Sequence, residues 1–475
     1  MAIDLGLRAG VGRADITPPT GIAHGNWGAA VHSRAEGVDL PLWATALALQ
    51  DAAGGTGAII VECDLLLLSF HLVAAIRRPV GALTGVPEGH IRVSSSHTHS
   101  GPTLGSTWLE EGAELIEPYV ASLPGKIAGA AWEAWRGLRP VRLAAGTGSC
   151  HIGINRRVQA PDGRTVVGRN HEGAFDPTVR VLRLDGADGS PLAAVLHYAT
   201  HPTLMAYENR LITPDYPGPA RRTVEQLTGA TCLFLQGCAG DAGPRFGFTE
   251  GHTGDVSFYH RAGTILGAEA AKVFLTLETA PYEERLVDVL ESGAPLGVYR
   301  HVPLAPDAQA GVVRVVNGTA LLPVRQFPAR EAAEATARAA REHLAAVRRA
   351  GAPAETIRDA TYRAKRAAQQ AGHARLTDGK PEVEIPLQAM RLGPVAILGA
   401  PLEVFGQLGA AVAAASPFSW TAVCGYTNGS AGYLPTAEAF QSGGYEVEMA
   451  SAYAPPAGER FVAAASALLR RLHQA

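Results

Sequence analysis

Two short segments place histidines where they could act together. The first reads Ile91-Arg92-Val93-Ser94-Ser95-Ser96-His97-Thr98-His99-Ser100-Gly101-Pro102, starting like a strand and ending in a Gly-Pro turn. Residues two apart on an extended chain face the same side. His97 and His99 are therefore expected to point into one pocket, one as a metal ligand and the other free to hydrogen-bond or titrate near neutrality. Taken alone, an H-x-H pair suits a structural role equally well. The second segment, Leu196-His197-Tyr198-Ala199-Thr200-His201-Pro202-Thr203, follows an apolar run. It puts His201 where a strand ends and a functional loop begins, with Pro202 fixing the turn beyond it. His197, four residues earlier, is expected further down the strand as a hydrogen-bonded core histidine.

Two later segments could complete such a site. In Val395-Ala396-Ile397-Leu398-Gly399-Ala400-Pro401-Leu402-Glu403-Val404-Phe405-Gly406, a buried strand runs into a turn and then an acid at the start of a helix. Glu403 there has two competing roles: a carboxylate favouring the helix N-terminal dipole, or a metal ligand at the mouth of the sheet. The loop Gly425-Tyr426-Thr427-Asn428-Gly429-Ser430-Ala431-Gly432-Tyr433-Leu434-Pro435-Thr436 is rich enough in glycine to bring backbone close to a ligand, although ordinary turn chemistry explains it too. The chain has no G-x-S-x-G elbow, P-loop, Rossmann glycine pattern or H-E-x-x-H helix. A metal-activated water is then the simplest nucleophile.

These residues need elements to hold them. The apolar runs Gly57–Val61, Leu192–Leu196, Thr231–Leu235 and Val395–Leu398 have strand length and end in Gly, Pro, Asp or His. Between them, Pro118–Trp135, Pro217–Leu227, Tyr259–Leu277 and Leu402–Ala415 repeat apolar residues at steps of three and four, as helices do. The alternation predicts an α/β fold, a large mixed β-sheet core flanked by helices. From Pro328 to Ala374 the composition shifts to Ala, Arg and Glu, broken at Gly351-Ala352-Pro353. This reads as an inserted αα-hairpin, its arginines interspersed with glutamates on a solvated surface.

Composition narrows the partners. A length of 475 residues suits roughly three domains at about 150 residues each, but with no repeat or low-complexity linker we expect one catalytic domain over 1–475 carrying the hairpin at 328–374. A net charge of -3 and a pI near 6.6 give no electrostatic ground for nucleic acid or an anionic membrane. The start Met1-Ala2-Ile3-Asp4-Leu5 lacks a signal-peptide layout, and no apolar run reaches the ~20 residues that span a bilayer. A cytoplasmic protein is expected, its oligomeric state open. The five cysteines, Cys63, Cys150, Cys232, Cys238 and Cys424, form no C-x-x-C pair, and most are expected to be buried, reduced thiols.

Taken together, these residues resemble the N-terminal catalytic domain of the neutral/alkaline, non-lysosomal ceramidases. The resemblance runs from Gly10-Val11-Gly12-Arg13-Ala14-Asp15-Ile16-Thr17-Pro18 through the His97 segment, Asn155-Arg156, the His201 segment, Gln236 to Pro244, Glu403 and Tyr433 to Glu446. It is the order and spacing of the pieces that are specific. The family binds zinc through the first His of H-T-H, a later His, a Glu and a Tyr. The resemblance thus implies Zn2+ held by His97, His201, Glu403 and Tyr433. It likewise implies that His99, Arg156 and Tyr445 act around the scissile amide, hydrogen-bonding the carbonyl and sharing proton transfer. Asp64 and Asp241 are expected to orient the ligand histidines.

The chain also departs from that family. The secreted ceramidases carry a signal peptide and a C-terminal immunoglobulin-like domain, neither of which is expected here. Their G-D-x-S-P-N becomes Gly240-Asp241-Ala242-Gly243-Pro244-Arg245, and their A-V-H-G-T-S-M becomes Ala199-Thr200-His201-Pro202-Thr203-Leu204-Met205. The resemblance therefore implies the reaction class, zinc-dependent hydrolysis of an amide in a small-molecule N-acyl substrate, more firmly than it implies the lipid. Two alternatives stand beside it: a zinc esterase or other small-molecule hydrolase, and a non-catalytic metal-containing binding protein of the same fold.

Overall fold

Almost every apolar run becomes a strand that is covered on both faces. The computed structural model describes residues 6–27, 29–30, 32–51, 54–55, 57–105, 111–246, 255–280, 282–304 and 311–475; Met1 to Leu5, whose sequence bears on targeting, lie outside them. Eight strands form the larger sheet, in the spatial order Thr231–Gln236, Pro191–Tyr198, Thr178–Gly186, Arg139–Ser149, Leu7–Asp15, Trp43–Asp51, Gly57–Cys63 and Ile91–Ser95. The outermost pair at each edge is parallel and the pairs between are antiparallel, so the sheet is mixed as expected. A four-stranded sheet, Val313–Pro323, Glu382–Leu392, Val395–Gly399 and Trp420–Cys424, lies against its inner face. Leu47, Ile60, Leu182, Val195 and Leu233 of the large sheet share one core with Met390, Val395 and Ile397 of the small one.

Helices close both outer faces. Phe70–Thr84 and Ile116–Arg136 cover one half of the large sheet, and Pro217–Thr228 and Val256–Thr276 cover the other half. Gly406–Ala414 and Ala457–Gln474 cover the small sheet. The result is a four-layer α/β arrangement with helices outside two sheets. The Gly10-Val11-Gly12 motif serves this packing: a Cβ at Gly12 would stand 2.2 Å from the Ala130 carbonyl oxygen of the covering helix. Only glycine lets the helix approach that closely.

The two edge strands of the large sheet are brought to one place. Ser94 and Gly237, at the carboxyl ends of opposite edges, form bridges to Thr427 and Cys424 of a single segment that leaves the small sheet. Loops that follow Ile91–Ser95, Pro191–Tyr198 and Thr231–Gln236 therefore converge, as functional loops do at the carboxyl ends of parallel strands. All five cysteines are buried and unpaired. The helices Arg330–Arg349 and Ala354–Thr377 form the αα-hairpin, held together by small alanine-rich contacts. Among the described residues no helix is long and apolar enough to cross a membrane.

Candidate metal centre

His97 reaches the site by leaving its strand. The strand Ile91–Ser95 stops short of it, and the backbone N–H groups of Ser96 and His97 donate instead to the carbonyls of Cys63 and Leu65. His97 takes φ 68°, a left-handed conformation that costs a residue with a Cβ. The extended geometry expected for the H-x-H pair is thus replaced by a turn, yet the two rings still converge, perpendicular and with Nε2 atoms 3.4 Å apart. Nδ1 of His97 lies 2.8 Å from the Leu66 carbonyl oxygen. A carbonyl can only accept, so Nδ1 carries the proton and Nε2 presents its lone pair inward.

His201 is set in the same way. Its Nδ1 donates to the carbonyls of Ala239 at 2.6 Å and Ala242 at 3.1 Å, leaving Nε2 as an acceptor. The expected carboxylate orienters do not touch either ring. Asp64 accepts from Arg221 at 2.5 Å and from the Trp43 N–H at 2.9 Å. Asp241 accepts from the Gly406 N–H at 2.7 Å, at the start of the helix Gly406–Ala414. Backbone carbonyls do the orienting instead, because the loops after the strands wrap close enough to present them. His197 is the core histidine expected, buried, with Nε2 3.0 Å from the Val423 carbonyl oxygen.

The helix expected from Leu402 begins only at Gly406. Glu403 and Val404 instead form a short parallel pair with Tyr433 and Leu434, in which Glu403 is directly in register with Tyr433. Pro401 and the pairing to the Gly-rich loop hold this stretch extended, and Asp241 supplies the anion at the helix N-terminus. Glu403 is thereby free to turn its buried carboxylate to the histidines: Oε2 lies 3.4 Å from Nε2 of His97 and 3.3 Å from Nε2 of His201. The Tyr433 hydroxyl completes the cluster, 3.0 Å from Nε2 of His201.

Arg156 and its neighbours form the polar wall. From the strand Gly153–Gln159 its Nη2 donates to the Tyr433 hydroxyl at 3.1 Å, and its Nε donates to Glu446 at 2.8 Å. Glu446 also accepts from Arg157 at 2.7 Å, so one buried carboxylate fixes both guanidinium groups. Burial alone would lower the Arg156 pKa, but Tyr433 and Glu446 raise it well above its usual value, and it stays charged. His99 is driven the other way: burial, then the rings of His97 and His201, lower its pKa well below normal and keep it neutral. Its Nδ1 has no partner among the described residues. Tyr445, 40% exposed, stands at the mouth with its ring 5.9 Å from that of Tyr433.

Several residues of the site escaped the sequence reading. Tyr426 packs its ring 4.1 Å from His97 and donates to Glu403 at 3.4 Å; the Gly-rich loop around it was the available signal. Trp27 lies 5.2 Å from His99, with nothing in its sequence neighbourhood to mark it. The αα-hairpin forms as expected, but its surface is not all solvated. Tyr362, Lys365 and His373, spaced to share one face of Ala354–Thr377, do not face solvent alone. Lys365 donates to the Trp27 carbonyl at 2.9 Å, and His373 bonds the Met449 carbonyl at 2.8 Å. Interspersed charges disguised this face, because its contacts are to loops distant in the chain.

His97, His99 and His201 bring ligating nitrogens within 4.8 Å of one another, a group that could hold a metal ion. The wider donor set also fits one. A tetrahedral ion with ligands at about 2.0–2.1 Å spaces its donors roughly 3.3 Å apart. The Glu403 oxygen stands at 3.4 and 3.3 Å from the two nitrogens.

A family model described as neutral/alkaline non-lysosomal ceramidase, N-terminal, matches residues 7–261. Neutral ceramidase of Pseudomonas aeruginosa is 25% identical over 472 residues, covering 94% of this chain and 69% of that protein. Neutral ceramidase B of Dictyostelium discoideum is 26% identical over 214 residues, 43% of this chain and 29% of that one. The crystal structure of the Pseudomonas aeruginosa neutral ceramidase has the same fold, with a TM-score of 0.68 at 22% identity, covering 99% of this chain and 75% of the other. A ceramidase complexed with C2 compares equally, with a TM-score of 0.68 at 20% identity and coverage of 99% and 76%.

Proposed function

The chain belongs to the neutral/alkaline non-lysosomal ceramidase family, and from that premise we propose that it is a zinc-dependent hydrolase cleaving the amide bond of a ceramide-like N-acyl compound with water. In this reading it works as one catalytic unit carrying the hairpin at 328–374. The observation that carries it is the convergence of Nε2 of His97, Nε2 of His201, Oε2 of Glu403 and the Tyr433 hydroxyl, with Oε2 3.4 and 3.3 Å from the two nitrogens, close to the spacing of donors around a tetrahedral ion, and the hydroxyl 3.0 Å from Nε2 of His201. These four residues hold the ion, with both histidines fixed in the ligating tautomer by backbone carbonyls. When bound there, zinc supplies Lewis acidity, which makes water nucleophilic at neutral pH and polarises a carbonyl.

The rest of the chemistry falls to the side chains around it. Arg156 stays charged and donates toward the oxygen that gains charge as the amide is attacked, alongside the phenol of Tyr445. Glu446 holds that guanidinium in place. His99 offers Nδ1 for the proton that must move from water to the leaving amine. Trp27, with the helix Ala354–Thr377 behind it, bounds the site on the His99 side and limits water there. Hydrolysis of a panel of N-acyl sphingosines and simple N-acyl amines, beside matched esters, tests the reading. Release of fatty acid from the amides supports it; activity confined to the esters contradicts it.

A further inference from the structure

The strands Tyr282–Leu290 and Leu296–Pro303 form an antiparallel ribbon of two, to which no other strand among the described residues pairs. Both are exposed along nearly their whole length. A two-stranded ribbon is marginal in water by itself, and this one displays large apolar side chains on both faces. The register sets Leu286, Val289 and Tyr299 on one face and Leu290, Leu296 and Val298 on the other. Their exposure runs from 40% at Val298 to 61% at Tyr299. Singly scattered apolar residues need no explanation, but three on each face of a ribbon with no other strand partner mark a contact element.

The charges select the occupant. Arg285 lies directly opposite Arg300, a like pair, and has Glu283 of its own strand as its ion-pair partner. Glu283, Glu284, Asp288 and Glu291 outnumber these two cations, which disfavours an anionic bilayer. The sequence Arg285-Leu286-Val287-Asp288 is instead complementary to itself when read antiparallel. We propose that this ribbon is a self-association arm, in which the Tyr282–Leu290 edges of two copies of this chain pair about a two-fold axis. Setting Leu286 beside Val287 of the second copy puts Arg285 beside Asp288 of that copy, twice by symmetry. The open strand edges gain backbone partners, as in other strand additions, and Leu286 of each arm packs beside Val287 of the other. The inference is independent of the metal centre.

Sedimentation equilibrium of the full chain over a range of concentrations tests it, with circular dichroism confirming that each variant is folded. The wild type is expected to be a dimer at micromolar concentration, and the variant Leu286→Asp/Tyr299→Asp a monomer. Arg285→Asp and Asp288→Arg should each weaken the dimer about tenfold or more, and the two together in one chain should restore it. A wild type that stays monomeric, or apolar-face variants that keep the dimer mass, would overturn the proposal. So would a charge-swapped double variant no stronger than either single change, or a monomeric protein that co-sediments with phosphatidylcholine vesicles.

Discussion

A buried guanidinium is tolerated only where its donors are answered, and Arg156 is answered by Tyr433 and Glu446 from different elements. That geometry uses the planar fork, which lysine lacks. Arg156→Lys is expected to lower kcat/KM for amide hydrolysis by roughly 100-fold while leaving bound metal unchanged, since loss of one such donor costs about 10²–10³ in rate. Kinetics beside metal analysis of the same preparation check both halves. At this scale the sequence was informative where residue type alone carries chemistry, as at His97, His99 and His201. It was silent on their orienting partners, because the carbonyls of Leu66, Ala239 and Ala242 are backbone groups with no residue signature.

Elements explain why some expectations held and others moved. Strands buried on both faces read as unbroken apolar runs, so Pro191–Tyr198 and Thr231–Gln236 were legible. The start of Gly406–Ala414 was not, since apolar spacing across Leu402–Phe405 suits helix and strand alike and pairing with Tyr433–Leu434 decided it. The face of Ala354–Thr377 toward the site was hidden for a similar reason, its partners being loops rather than another periodic element. Lys365 nevertheless ties the helix to Trp27, whose ring stands 5.2 Å from that of His99. Lys365→Met should lower kcat about tenfold with KM little changed, as misplacement of a positioned group does, and Lys365→Arg should recover part of it. Equal kcat in wild type and Lys365→Met would remove the helix from the account.

Across the whole molecule, folding carries the two edges of one sheet to a common segment, and it buries several histidines on the way. Burial, then His32, lower the His24 pKa to about 4; burial, then Arg180, lower that of His197 to about 3. These folded values lie below the unfolded one near 6.5, so the unfolded chain binds more protons as pH falls. The stability they contribute is complete above about pH 6.5 and is lost on acidification, at roughly 1.4 kcal/mol per pH unit for each. Urea unfolding from pH 4.5 to 7.5 should show stability rising with pH, with a shallower slope in His24→Gln. A slope of zero across that window would contradict the assignment. The account as a whole rests on one ion held by residues from four separated segments, and metal analysis of wild type, His97→Ala and Glu403→Ala, each shown to be folded, tests it most directly. It predicts about one zinc per chain in the wild type and close to none in either variant; stoichiometric zinc retained in both variants would contradict it.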